Sequence, residues 1–489
     1  MKNKKIFKNP REIIFFILND YFKKFCNLKN LINNYINDKE ISNINKNFIY
    51  SISKGIVRNY LGIDYFISLF SKIKLEKIDF EILNILRLGV FQSIFLDKVP
   101  DYSIVNECVN IAKKYNSVNS ANFVNAILRK ITSIENGKSV YFNKINEIKD
   151  PIRKISIFYS FPEWIIKYWV EQYDIKKTVK ICKALNENPL TYFKINTLKS
   201  DTEYVYNEIK NISKYDFKKY FDSASFSFKT NANDILKSEL MKNGFIYIQD
   251  LSSQIAIKYF LAPEENESIL DICSAPGGKA INSSIMMNDN GIIFAVDNNN
   301  SRLDLIKENI KRMSINNIKV ISGDVIDENN FKNIFLKDEY FLKNNINSDV
   351  IKFDKIFIDA PCSAFGTAGK NPDAKYNKKP GDIKQFKLNS LKILANCDKY
   401  LKIGGKIVFY TCTLSKIENK EVIENFLNLF KNKYETENIN TAQIFNDLSS
   451  DLKNDTDEKI NVEFNDIFEI MPYYFKSEGA TVCSLIKIK

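Results

Sequence analysis

The sequence predicts a chain in three parts: an all-helical stretch over residues 1–145, a small α+β piece over 146–240, and a doubly wound α/β domain over 241–489. Three patterns predict it. Apolar residues of the first part recur at helical spacing. Two short strand-like runs bracket a helical stretch in the middle. From about residue 245, short apolar runs alternate with helical segments, the signature of a mostly parallel sheet.

In the first part, Ile82-Leu83-Asn84-Ile85-Leu86-Arg87-Leu88-Gly89-Val90-Phe91 shows the helical period, and Pro100 falls in a break between helices. In the second, Thr191–Asn196 reads as a strand, and Gly244–Ile248, just past its end, reads as another. In the third, the expected strands are Ser268–Ile272, Gly291–Val296, Ile318–Ser322, Lys355–Asp359 and Lys406–Tyr410. Two polar segments, Asp327–Asp354 and Thr436–Asn465, read as irregular surface insertions.

At 489 residues the chain is too long for one ordinary core. Its 45% hydrophobic and 27% charged residues suit a globular protein, and no apolar run reaches membrane-spanning length. The basic start, Met1–Lys8, lacks the long apolar core and cleavage site of a signal peptide. A net charge of +12 favours a polyanionic partner, although AT-rich coding would raise Lys, Asn and Ile together. Eight cysteines without C-x-x-C pairing or metal spacing indicate a reduced, cytoplasmic protein. There is no histidine, which excludes Ser-His-Asp triads, Cys-His dyads and His-ligated metals. An activated thiol here needs a helix N-terminus, a cation or the substrate.

The first chemical signal is the turn Leu270-Asp271-Ile272-Cys273-Ser274-Ala275-Pro276-Gly277-Gly278-Lys279-Ala280. A strand turning through glycines into a helix aims backbone N–H groups at a ligand. It is not G-x-G-x-x-G, so a dinucleotide is not indicated. Asp297 ends the next strand, where a carboxylate can accept both ribose hydroxyls, and Asp324 ends the third, near an adenine edge. A lone Asp at such a position is usually a cap or turn residue. Recurrence at successive strand ends shifts the weight toward a nucleoside site.

The second signal is two cysteines. Cys362 follows Ile356-Phe357-Ile358-Asp359-Ala360-Pro361, and Cys412 follows Ile407-Val408-Phe409-Tyr410-Thr411. A cysteine taken alone is usually a small buried hydrophobe, and Cys26, Cys108, Cys182, Cys397 and Cys483 stay in that class. Cys273 packs, or lends its backbone, in the cofactor turn. Two thiols at later strand ends of the same sheet suit covalent chemistry on a base.

At these residues the chain resembles the RNA cytosine-C5 methyltransferases. The match covers Asp271–Ala280, Asp359-Ala360-Pro361-Cys362-Ser363, Asn371-Pro372-Asp373, and Tyr410–Leu414 with Glu418-Asn419. Tyr159–Trp164, Lys194-Ile195-Asn196 and Gln249–Gln254 also resemble that family. The N-terminal stretch resembles the NusB-like RNA-binding domain at Leu86–Gly89, Asp97–Pro100 and Asn122–Arg129. The pairing is similar to the family's bacterial 16S ribosomal RNA methyltransferases.

The resemblance covers nearly the whole chain. It implies a NusB-like helical domain, an RRM-like middle domain and a Rossmann-like catalytic domain. It implies S-adenosylmethionine bound by Cys273, Ser274, Ala275, Pro276, Gly277, Gly278, Lys279, Asp297, Asp324 and Asp359, and no metal. It implies Cys412 as nucleophile on C6, Cys362 as the thiol needed for release, and Asp359 bonded to the base. The implied partner is RNA, 16S rRNA first, with a target base like cytosine 967. The expected protein is a monomer that binds no membrane. Arg87, Lys113, Lys114, Arg129 and Lys130 are candidates for RNA grip. Lys279 either tunes a thiol or holds the cofactor carboxylate.

Ala364 stands where the family usually has Gly, Phe161 replaces a frequent His, and Lys194 replaces Arg, which weakens bidentate phosphate recognition. The same chemistry on tRNA, and a non-catalytic NusB-like RNA-binding factor, are the alternatives. A DNA-type enzyme would use Cys362 as nucleophile, and Thr411-Cys412 argues against that. An amine methyltransferase would carry an Asn/Asp-Pro-Pro-Tyr-like turn, which is absent after Ile358.

Overall fold

The computed structural model describes residues 9–37, 41–97, 99–212, 217–221, 224–228, 233–337, 351–448 and 466–489. The chain forms two compact units, residues 1–186 with 368–379 and residues 187–367 with 380–489. No helix among the described residues is long and apolar enough to cross a membrane.

The first unit is helical. Side-chain caps start several of its helices. Asn9 accepts from the Arg11 N–H ahead of Pro10–Lys24, Asp79 from Glu81 and Ile82 ahead of Phe80–Phe95, and Ser117 from Ser120 ahead of Val118–Thr132. Helix Asp101–Tyr115 begins directly after Pro100, as the break predicts. The helix Phe80–Phe95 is buried on nearly every side. Gly89 permits this, since a Cβ there would lie 2.6 Å from Leu128 Cδ1.

Arg87, expected on an RNA-facing surface, is instead buried. It makes two 2.7 Å bonds to the Asp64 carboxylate and stacks over Phe22 and Tyr60. Leaving a guanidinium uncompensated there would be costly, so the pair is structural. Lys113, Arg129 and Lys130 are exposed, and Lys114 pairs with Glu12.

The segment 368–379 packs in this helical unit. Asp373 accepts the Leu28 N–H, Lys54 and Arg58 donate to the Lys370 and Gly369 carbonyls, and Tyr376 donates to the Ser160 carbonyl. Lys375 is fully buried. Its ammonium donates to the Arg58 and Tyr159 carbonyls and to Asn186, over the ring of Phe161. An imidazole in place of Phe161 would bring a polar ring under that ammonium.

The second unit holds two sheets. The smaller has the order β2-β3-β1-β4, all antiparallel, with β1 Tyr192–Ile195, β2 Phe217–Tyr220, β3 Ser225–Phe228 and β4 Ile246–Ile248. The helix Thr202–Ile212 packs on it through Val205, Tyr206 and Ile209. Lys194 lies buried in β1, away from the open surface where a phosphate would be gripped.

The larger sheet comprises β5 Ser268–Ile272, β6 Ile292–Asp297, β7 Ile318–Ser322, β8 Phe353–Asp359, β9 Leu401–Thr411, β10 Tyr434–Thr436, β11 Ile467–Ile470 and β12 Ala480–Lys487. Its order is β10-β12-β9-β8-β5-β6-β7, with β11 on β12. The run β9-β8-β5-β6-β7 is parallel, as expected, and the strands from β10 to β12 join antiparallel. Apolar clusters cover both faces. The order reverses between β5 and β8. The crevice outside those strand ends is the ligand position of an open α/β sheet.

Both polar segments expected to be irregular are partly helical, at Glu328–Lys337 and Thr441–Leu448. Each uses a few apolar residues for anchorage, Phe331 and Ile334 in one and Ile444 and Leu448 in the other. Residues 338–350 and 449–465 lie outside the described residues, as do Met1–Lys8 and Lys98.

Candidate active site

The chain leaves β5 with Cys273 at φ +58° and Gly277 at +91°, then enters the helix Gly278–Met286. A Cβ on Gly277 would sit 2.9 Å from Ile306 Cγ2, so both conformation and room demand glycine. A Cβ on Gly278 would meet nothing within 4 Å, so space stands open over this helix N-terminus. Beneath it, Asp271 Oδ2 accepts from the Ser274 hydroxyl at 2.6 Å, while Oδ1 is buried without a hydrogen-bond partner. Burial pushes the Asp271 carboxyl up to about 7. An orphaned buried acid beside an open N-terminus fits a ligand that carries donors.

Asp297, at the end of β6, accepts the Ala275 and Asn299 N–H groups at 3.2 and 3.1 Å, with the Arg302 guanidinium 3.7 Å away. Arg302 also donates to the Ala275 carbonyl. Asp297 therefore braces the turn as well as ending its strand. Asp324 lies just past β7 and accepts the Ile326 N–H at 2.9 Å, a local turn bond. Cys273 is pushed up by burial and by the Asp359, Asp297 and Asp271 charges. Pro276 is exposed and joins Ala275 to Gly277.

Lys279, one residue into the helix, reaches the neighbouring strand. Its ammonium is 2.7 Å from Asp359 Oδ2 and lies over the Tyr410 ring. Burial works against the ammonium, but the Asp359 carboxylate outweighs it and Lys279 stays charged. The Tyr410 hydroxyl meets Ser252 at 2.9 Å, and Ser252 donates to Asp250. Asp250 also accepts the Glu478 N–H, so the end of β9 is tied to the segment before β12.

The two expected thiols converge. Cys362 Sγ and Cys412 Sγ are 3.4 Å apart at the ends of the paired strands β8 and β9. The Ala360 N–H donates to the Tyr410 carbonyl and carries the ladder up to them. Gly366 donates to the Cys412 carbonyl and Gly479 donates to the Gly366 carbonyl. A Cβ on Gly366 would lie 1.7 Å from the Gly479 oxygen, so no other residue fits this crossing. The Cys412 thiol is held well above its ordinary value by the hydrogen bond with Cys362, then by burial and the Asp359 and Glu478 charges.

A buried carboxylate joins the two thiol turns. Glu418 Oε1 accepts the Ser363 N–H at 2.6 Å and Oε2 accepts its hydroxyl at 2.8 Å. Ser363 Oγ also lies 2.8 Å from Thr413 Oγ1. Asn419 takes the Thr411 hydroxyl and donates to the Thr413 carbonyl. Ala364, where glycine is usual, sits at φ +59°.

Asp271, Asp250, Glu478 and the part played by Glu418 go beyond the sequence reading. Asp271 and Glu418 lie inside the quoted motifs, but nothing in a motif says which oxygen faces which group. Glu478 carries only the signal of its neighbour Gly479.

Three family models match the chain: 16S rRNA methyltransferase RsmB/F over residues 258–462, the NusB family over 8–133, and the RsmF/B-like ferredoxin-like domain over 161–213. A probable ribosomal RNA small subunit methyltransferase B of Bacillus subtilis is 29% identical over 94% of both chains. Its namesake from Synechocystis is 27% identical over 86% of this chain and 89% of that one. Among solved structures, that of PH0851 matches with a TM-score of 0.71 at 20% identity, covering 99% of this chain and all of that one. NSun6 from Pyrococcus horikoshii matches at 0.53 and 19%, over 67% and 99%. These two share the fold.

The family models and the names of these relatives support an S-adenosylmethionine-dependent RNA methyltransferase. Within that class the matches support an RsmB-like protein with an N-terminal NusB domain and a ferredoxin-like middle domain.

Proposed function

We propose that this protein methylates C5 of a cytosine in small-subunit ribosomal RNA through a covalent adduct between Cys412 and C6, with cytosine 967 the base to test first. The observation that carries the reading is the pair of thiols 3.4 Å apart at adjoining strand ends, beside the Lys279–Asp359 pair. The relatives' names support ribosomal RNA as the substrate class.

Bound S-adenosylmethionine supplies an electrophilic methyl group on a sulfonium. Cys273 to Lys279, Asp297, Asp324 and Asp359 are the residues assigned to hold it. Cytosine C5 is too weak a nucleophile to react unaided. Cys412 gives its proton to solvent, its sulfur bonds C6, and the C5–C6 π pair shifts onto C5, where it can take the methyl group. Asp359 hydrogen-bonds the base near N3 and N4 and steadies it as the adduct forms. After C5 is alkylated, Cys362 takes part in removing the C5 proton, and the sulfur–C6 bond of Cys412 breaks. Lys279 offsets the negative charge on the Cys412 side. The target base must leave its stack to enter, which favours a loop or a flipped nucleotide.

The division at residues 145 and 240 belongs to this reading, with the first two parts gripping RNA through exposed Lys113, Arg129 and Lys130. The protein acts as a monomer in the cytoplasm, in keeping with eight free cysteines.

The test is a denaturing gel of wild type, Cys362→Ala and Cys412→Ala after incubation with 16S rRNA and S-adenosylmethionine. The expected result is an adduct that persists with Cys362→Ala and is absent with Cys412→Ala. No adduct and no methyl transfer in any variant would overturn the ribosomal assignment and leave tRNA or a scaffold role. Loss of the adduct only with Cys362→Ala would reverse the two thiols.

A further inference from the structure

We infer that Glu418 is a positioning residue that holds Cys362 against Cys412 and thereby controls release of the methylated base. The inference rests on the proposed adduct chemistry. It starts from geometry: Glu418 is 1% exposed, and both its oxygens are bonded to the residue that follows Cys362. The Ser363 N–H belongs to the peptide joining Cys362 to Ser363. A 2.6 Å bond to a carboxylate fixes that peptide plane, and with it the direction in which the Cys362 side chain leaves the backbone.

Ser363 passes the constraint across. Its hydroxyl lies between Glu418 and Thr413, the residue after Cys412, and Ser363 and Thr413 are both fully buried. Glu418 is itself anchored on the Cys412 side, its N–H donating to the Ser415 carbonyl and hydroxyl oxygens. The chain from Cys412 to Glu418 is thus tied to the Cys362 loop by Glu418 and Thr413, besides the Gly366–Cys412 backbone bond.

The clamp is needed because the next residue opposes the turn. Ala364 at φ +59° lies in the left-handed region that a Cβ disfavours. Without Glu418 the loop would relax at Ser363-Ala364, and Cys362 would move while Cys412 stayed on its strand. Misplacement of a reacting group by about 1 Å costs on the order of a hundredfold in rate. Capture of the base uses Cys412, and release uses Cys362, so the loss falls on release.

The experiment compares Glu418→Gln with wild type, Cys362→Ala and Cys412→Ala. Gln keeps the shape but turns one acceptor into a donor against the Ser363 groups. Expected are a turnover lower by roughly tenfold or more, KM for RNA within about threefold, and an adduct that accumulates on a denaturing gel as it does with Cys362→Ala. Retained S-adenosylmethionine binding and an unchanged melting curve would separate positioning from lost folding. Should Glu418→Gln fail to fold, Ser363→Ala, which keeps the N–H bond and loses the hydroxyl, carries the test with a smaller accumulation. Wild-type turnover without an adduct in both variants would overturn the inference, as would loss of capture like that of Cys412→Ala. If Cys362→Ala itself traps nothing, the adduct reading has failed; if it traps and Glu418→Gln does not, only this inference has.

Discussion

The turn after β5 and the turns after β8 and β9 hold their chemistry in opposite ways. The first is shaped by its backbone. Gly277 takes φ +91°, Gly278 leaves open space, and one oxygen of the buried Asp271 has no partner. The thiol turns are shaped by side chains: Glu418 on Ser363, Asn419 on Thr411 and Thr413, and Lys279 on Asp359. The first arrangement leaves donors and acceptors free for a ligand. The second occupies them, so that two sulfurs stay in place. A cofactor pocket tolerates an unsatisfied acid because the ligand completes it. A covalent site must keep its nucleophile still before any substrate arrives.

The largest expected effect tests the unsatisfied side. With a carboxyl value of about 7 in place of 3.8, folded Asp271 retains a proton that the unfolded chain releases between those values. In that window the folded state binds more protons, so stability falls as pH rises, and the full loss is present above pH 7. Three units correspond to at most about 4 kcal/mol. Asp271→Asn should remove that slope, making the ligand-free protein melt higher at pH 8 than wild type while binding S-adenosylmethionine more weakly. Melting curves from pH 4 to 8 with and without the cofactor check it. An unchanged slope would mean that Asp271 is satisfied and the contrast between the turns is false.

The thiol side has its own pH signature. Because Cys412 is held well above its ordinary value, the thiolate is scarce at neutral pH. Single-turnover adduct formation should rise about tenfold per pH unit between 7 and 9. Neutralising a nearby charge moves the curve predictably. Glu478→Gln shifts it to lower pH, and Lys279→Met shifts it higher, with a slower rate at pH 7.5. A flat profile for wild type would show that thiol ionisation does not limit capture.

Much of this division was legible in the sequence, and the parts that were not share a cause. The parallel strands stood out because strands buried on both faces read as unbroken apolar runs, as in Ile356-Phe357-Ile358. Strands β2 and β3 did not, since Phe-Lys-Lys-Tyr and Ser-Phe-Ser-Phe are only four residues long. The two thiols were found from their place after strands. Glu418 was found only as part of a motif, because its partner Ser363 lies 55 residues away. Arg87 looked like a surface charge until Asp64, 23 residues earlier, proved to be its partner. Nor does any local pattern announce that Lys375 is buried among backbone carbonyls. Periodicity reports burial along one element, and it carries no information about which side chains meet across elements.

The smallest effects form a mirrored pair at the two turns. Gly277→Ala puts a Cβ into a left-handed backbone and 2.9 Å from Ile306 Cγ2. It should cost about 1–2 kcal/mol, more if Ile306 cannot shift, and weaken S-adenosylmethionine binding. Ala364→Gly runs the other way. It relieves the φ +59° strain at one residue, but it also loosens the unfolded chain, so the net gain should not exceed about 1 kcal/mol. The two substitutions also differ in what they do to function. At Gly277 the backbone is the device, so activity falls with stability. At Ala364 the loop is held by Glu418, so activity should stay near wild type while the melting temperature rises slightly. Combining Ala364→Gly with Glu418→Gln should then recover part of the turnover lost with Glu418→Gln alone, since a glycine removes the strain that drives the loop away. Additive effects in that double variant would show that Glu418 and the strained residue act independently.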